Sequence, residues 1–114
     1  MYKKTVNLWI QGSVASITEI IGVNPTSTRI KEPYDYWDYS IVSDESGDSI
    51  TEMLEFLGQI KHSLKLLGNE YQYGVSVTVE SDIDTGEVFH HLEPKEMAFL
   101  SEINMPVAFH TIKR

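Results

Sequence analysis

"SITEMLEFLGQIKHSLKLLGNEYQYGVSVTVES", residues 49–81, changes its apolar period partway along, and that change decides the fold class. Ile50, Met53, Leu54, Leu57, Ile60, Leu64 and Leu67 recur at three- and four-residue steps. At 3.6 residues per turn they draw one broad apolar stripe over about five turns of helix. Ser49 and Glu52 stand at capping-box spacing at its start, Lys61, His62 and Lys65 lie near its end, and Gly68 follows. Caps and charges therefore agree with the helix dipole. From Tyr71 the period becomes two: Tyr71, Tyr73, Val75, Val77 and Val79 alternate with Gln72, Ser76, Thr78 and Glu80. This is the pattern of a strand buried on one side. A one-faced helix and a one-faced strand must bury their apolar sides against each other, which predicts an α+β domain.

The flanking segments extend that pattern. Val6, Leu8 and Ile10 share one face of an extended stretch that Gly12 ends. In SVASITEIIG, 13–22, Ser16 and Glu19 have capping-box spacing, and Ser13 is an alternative cap one turn earlier. Ile17, Ile20 and Ile21 form a short stripe, and Gly22 suits the position after the helix. VNPTSTRIKEP, 23–33, has two prolines and no period, and reads as a surface connection. In EPYDYWDYS, 32–40, the alternation resumes: Tyr36, Asp38 and Ser40 are expected on the outer side of a strand, with Trp37, Tyr39 and Ile41 facing the core. SDESGDS, 43–49, is a polar turn.

Beyond the strand at 71–80, DIDTG reads as a turn and VFHHL as a short return strand. Pro94 suits the first position of a helix running to about Ile103, with Met97, Leu100 and Ile103 on one side. A final strand from Pro106 to Ile112 sets Val107 and Phe109 opposite Ala108, His110 and Ile112. The predicted order is β-α-β-α-β-β-α-β, with a mostly antiparallel sheet of about five strands and helices packed on it. At 114 residues the chain is too short for two independent cores, so residues 1–114 are read as a single two-layer domain.

Composition limits the chemistry. The chain has no cysteine, which excludes disulfides, thiolate zinc sites and cysteine nucleophiles. No run approaches the roughly 18 apolar residues of a membrane span, and the first residues, MYKKTVNLWIQG, lack an apolar run of signal-peptide length. A cytoplasmic, soluble protein is the expectation. A net charge of −8 and a pI near 4.8 repel nucleic acid and anionic lipid and favour a basic protein partner, or serve solubility alone.

His90 and His91 are adjacent and point to opposite sides of a strand, so they do not clamp one ion. Asp82 and Asp84 open a calcium-loop-like spacing that closes too early at Glu87. No serine sits in a nucleophile elbow. Neither a metal, a cofactor nor catalysis is expected.

One segment is different. Glu32, Asp35, Asp38, Asp44, Glu45, Asp48, Glu52 and Glu55 are eight of the chain's 17 acids, and no Lys or Arg interrupts them. Tyrosines beside carboxylates are good material for receiving basic side chains, so Tyr34, Asp35, Tyr36, Asp38, Asp44 and Glu45 are the candidate partner-binding residues. The same acids also serve to cap and solubilise the long helix, and the tyrosines to cover a sheet edge.

The first strand, then "ITEIIGVNPT", "YWDYSIVS", "ITEMLEFLGQIKHSLKLL", "YGVSVTVES" and "LEPKEMAFLSEINMPVAFHTI", resembles the bacterial domain of unknown function family 4279 over almost the whole chain. Gly22 to Pro25 and Trp37 with the helix after it carry most of the likeness. The sequence departs from that pattern in having no glycine between Thr28 and Tyr36. The resemblance implies a small bacterial cytosolic protein and no catalytic residue set. Some members stand with polymorphic-toxin immunity genes, which implies an immunity-type inhibitor of a basic toxin domain, a cognate toxin being the partner. The alternative is a small-ligand or regulatory module with a pocket lined by Trp37, Tyr71 and Tyr73.

Overall fold

A computed structural model describes residues 2–44, 48–68, 70–81 and 92–113. Its strands are β1 (Tyr2–Gln11), β2 (Ser27–Lys31), β3 (Tyr34–Ser43), β4 (Gln72–Ser81) and β5 (Val107–Lys113). Its helices are α1 (Val14–Ile21), α2 (Ser49–Gln59), α3 (Lys61–Leu67) and α4 (Pro94–Glu102). The strands form one five-stranded sheet in the order β2-β3-β1-β4-β5. Three pairings are antiparallel and β4–β5 is parallel, with α4 lying in the crossover that a parallel pair requires. The α+β, mostly antiparallel architecture expected from the sequence is observed.

All the helices bury their apolar stripes on one side of the sheet. Val6, Leu8 and Ile10 of β1, Trp37 of β3 and Val75 and Val77 of β4 form one core with Ile17, Met53, Leu57, Leu64, Leu67 and Leu100. The Cα extents of 41 × 33 × 20 Å are those of one sheet and one helical layer. Trp37 is fully buried at its centre, and its indole Nε1–H donates to Thr18 Oγ1 at 3.2 Å. Tyr39 continues the stack, with its ring 4.0 Å from that of Phe56.

Several local expectations change. The segment 23–33 is not only a connection: Ser27–Lys31 is the edge strand β2, and Glu32 and Pro33 turn it into β3 across a cis peptide bond. Every residue of β2 is exposed, so it carries no apolar alternation for a sequence reading to find. The single long helix is two, α2 and α3, joined at Ile60, whose φ of −101° leaves the helical range. The break follows Gly58 and lets Leu64 and Leu67 stay in the core beside α1. Asp48, not Ser49, caps α2, accepting hydrogen bonds from Thr51 N–H at 3.0 Å and Thr51 Oγ1–H at 2.6 Å. Ser49 is instead fully buried and bonded to Ser43 Oγ. Ser13 caps α1, and Pro94 opens α4 behind a Glu93–Glu96 capping box. Met97 is half exposed instead of joining Leu100 and Ile103 inside. The DIDTG turn, the VFHHL strand up to His91 and the residues Asp82, Asp84, Glu87, His90 and His91 lie outside the described residues.

Candidate functional site

With the helices on one side, the other face of the sheet is covered by no helix among the described residues. Alternation along β1 and β3 puts Asn7, Trp9 and Gln11 on this open face beside Tyr36, Asp38 and Ser40. β2 adds Arg29, cross-strand to Tyr36, and Lys31, cross-strand to Tyr34.

Asp38 is the hub of this quarter of the sheet. Arg29 donates Nε–H to Asp38 Oδ2 at 2.6 Å and Nη2–H to Oδ1 at 3.0 Å, a two-pronged pair. Asn7 Nδ2–H donates to Oδ1 at 3.0 Å, and Asn7 Oδ1 accepts from Ser40 Oγ–H at 2.8 Å. The hydrogen bonds to Asp38 push the Arg29 pKa above its ordinary value, against a smaller lowering by burial. Arg29 Cζ also lies 4.6 Å from the centre of the Tyr36 ring, a cation–π contact. Tyr36 in turn meets Trp9 edge to face at 6.3 Å and donates a long hydrogen bond of 3.4 Å to Gln11 Oε1. Guanidinium, phenol and indole are thus held in a row, with the partly exposed Tyr34 beyond them.

The glycine opposite Trp9 makes that row possible. A Cβ on Gly74 would stand 2.8 Å from Trp9 Cζ2, so the indole lies on bare backbone. No other residue type allows so close an approach.

The structure corrects one site expectation and divides the rest. Asp38 does lie on the same side as Tyr36, but at 2% exposure, so its carboxylate is spent on Arg29 and Asn7 and not displayed to solvent. Asp35 is exposed but falls on the opposite side of β3 from Tyr34 and Tyr36, because successive residues alternate. Asp44 is exposed beyond the far end of β3, about 30 Å from Tyr34 at the usual strand rise. Glu45 lies outside the described residues. Of the six, Tyr34 and Tyr36 remain together on an accessible face. Trp9, Asn7 and Arg29 were missed: Trp9 and Asn7 by attention to the apolar face of β1, Arg29 because β2 was read as a connection. A Trp out of phase with Val6, Leu8 and Ile10 was the available signal.

A concavity of about 660 Å³ opens at the end of the sheet where β1 finishes and β4 begins, beneath α3 and the end of α4. Tyr71 and Tyr73 line it as expected for a pocket. Trp37 does not, being buried in the core instead. Among the described residues no group of three His, Asp or Glu side chains is placed to hold a metal ion, and no helix is long and apolar enough to cross a membrane.

Fold and site define a two-layer α+β domain with one aromatic-bearing sheet face that no helix covers among the described residues. Residues 2–113 match the family described as Domain of unknown function (DUF4279), and the chain belongs to it. No curated protein and no solved structure matches the chain.

Proposed function

We propose that this domain is a non-enzymatic binding protein that docks a basic protein partner on the open sheet face, in the manner of a cytoplasmic immunity-type inhibitor of a toxin domain. The observation that carries this reading is the Arg29–Tyr36–Trp9 row with Tyr34 beside it. Trp, Tyr and Arg are the side chains that dominate protein–protein binding energy, and here they are held on a flat strand platform by Asp38 and Gly74. The net charge of −8 supplies the second half: it attracts a basic partner at long range, while the contact itself is aromatic.

The test is the affinity of the purified domain for a basic toxin domain encoded beside its gene. Tyr36→Ala is expected to weaken binding by about thirtyfold or more, the effect of losing a hot-spot aromatic. Association is expected to slow steeply as salt rises. Full affinity in Tyr36→Ala with the fold intact removes this face from consideration, and a salt-independent on-rate removes the steering.

A further inference from the structure

We propose that the concavity at the α3/α4 end of the sheet is a binding site for a small planar aromatic monocarboxylate, a role separate from docking on the open face. Its volume of about 660 Å³ lies within the range of small-molecule sites. Its aromatic walls are seated by the backbone. Tyr71 lies on Gly12, where a Cβ would stand 2.7 Å from Tyr71 Cε1 and where φ is +148°, and Trp9 lies on Gly74. Tyr73 is pinned by its O–H, which donates to Ile103 O at 3.0 Å. Rings fixed in this way offer flat apolar faces without further ordering, which suits a flat ligand.

The charges select the other half of the ligand. Lys61 and Lys65 line the site with Glu102. Lys61 is hydrogen-bonded to Glu102, and this bond, with a further pull from the Lys65 charge, holds the Glu102 carboxyl below its usual range. The Lys65 ammonium makes no hydrogen bond among the described residues. Two ammonium groups and one carboxylate leave one positive charge in a chain whose net charge is −8. That balance fits a monoanion better than a phosphate dianion.

The probes are 2-naphthoate and its neutral counterpart 2-naphthamide, titrated into the ¹⁵N-labelled protein. Saturable shifts of the Lys65, Tyr71, Gln72 and Asn104 amides are expected with naphthoate, and weaker ones with naphthamide. Lys65→Gln should weaken naphthoate binding by up to about fivefold and leave naphthamide unchanged, while Glu102→Gln should tighten naphthoate binding by a similar factor. Absence of saturable shifts at these amides, or equal affinity for the acid and the amide, overturns the proposal. Trp9 borders both sites, but neither Lys65 nor Glu102 belongs to the Trp9–Tyr36 row, so the two charge variants separate the outcomes here from those of partner docking.

Discussion

The Arg29–Asp38 pair should respond very unequally to loss of its two members. The Asp38 side chain is 3% exposed and that of Arg29 is 50% exposed, so only one of the two charges depends on the other for its solvation. Arg29→Met keeps the aliphatic stem over Tyr36 and removes the guanidinium, leaving a carboxylate under the sheet surface with Asn7 as its one remaining side-chain partner among the described residues. Stranding a buried charge costs about 3 kcal/mol. Asp38→Asn leaves the arginine free to turn into water, and the loss is that of a charge-assisted hydrogen bond in a partly screened setting, about 1–2 kcal/mol. A domain of this size has a urea m-value of about 1–1.5 kcal/mol/M, so the midpoint should fall by about 2 M in the first variant and about 1 M in the second. Urea unfolding followed by far-ultraviolet circular dichroism reads both. Equal losses, or a larger loss for Asp38→Asn, would refute the argument that burial of the carboxylate governs the pair.

Three further outcomes follow from named contacts. Asp48→Ala should cost about 1 kcal/mol at neutral pH through loss of the α2 cap. Thr51 hydrogen bonds lower the folded-state pKa of Asp48, so this stabilisation is full above the unfolded carboxylate range and lost as pH falls through the folded value; the urea midpoints of the variant and the parent should therefore draw together as pH is lowered below the usual carboxylate range. Gly74→Ala should displace the Trp9 indole, at a cost of about 1–2 kcal/mol, seen as a red shift in tryptophan emission because Trp37 stays buried. Trp37→Ala removes the largest fully buried side chain and should lower stability by about 3–5 kcal/mol, measured by chemical denaturation.

What could be read in the sequence was whatever one apolar face had to bury. β1, β3 and β4 and the apolar stripes of α1 and α2 with α3 express a period that burial enforces, and they lie where the alternation put them. The edge strand β5 and the proline start of α4 are also found where the sequence placed them, although beyond Val107 the side chains of β5 through Ile112 are exposed. Trp37 inward and Tyr36 opposite follow from the same rule. β2 was not legible because an edge strand with both faces wet needs no apolar residues: its five positions are held by pairing to β3 alone. The break at Ile60 was hidden because its stripe runs unbroken through both helices. Asp38 was misjudged as displayed because strand alternation gives the side of the sheet, not the depth, and depth here is set by Arg29 arriving from an unrecognised neighbour.

The acidic run illustrates how sequence density and surface density part company. Eight acids lie between Glu32 and Glu55, yet a period of two sends Asp35 and Asp38 to opposite sides of β3, and the length of that strand carries Asp44 about 30 Å from its start. Asp38 is neutralised by Arg29, and Asp48 is engaged in capping α2. Asp35, Asp38 and Asp44 therefore do not form one compact docking patch, although the charges of the acidic run still sum in the far field, where only the total counts. Beside the open-face row the charged groups are Arg29 and Lys31, with a buried Asp38 between them. A basic partner would thus be drawn by the whole molecule and held by rings. Charge-reversing substitutions at Asp35 should then slow association while leaving the dissociation rate near its parental value, whereas Tyr36→Ala should act on dissociation. The reverse assignment, Asp35 governing dissociation, would place the contact on the helical side of β3 and not on the open face.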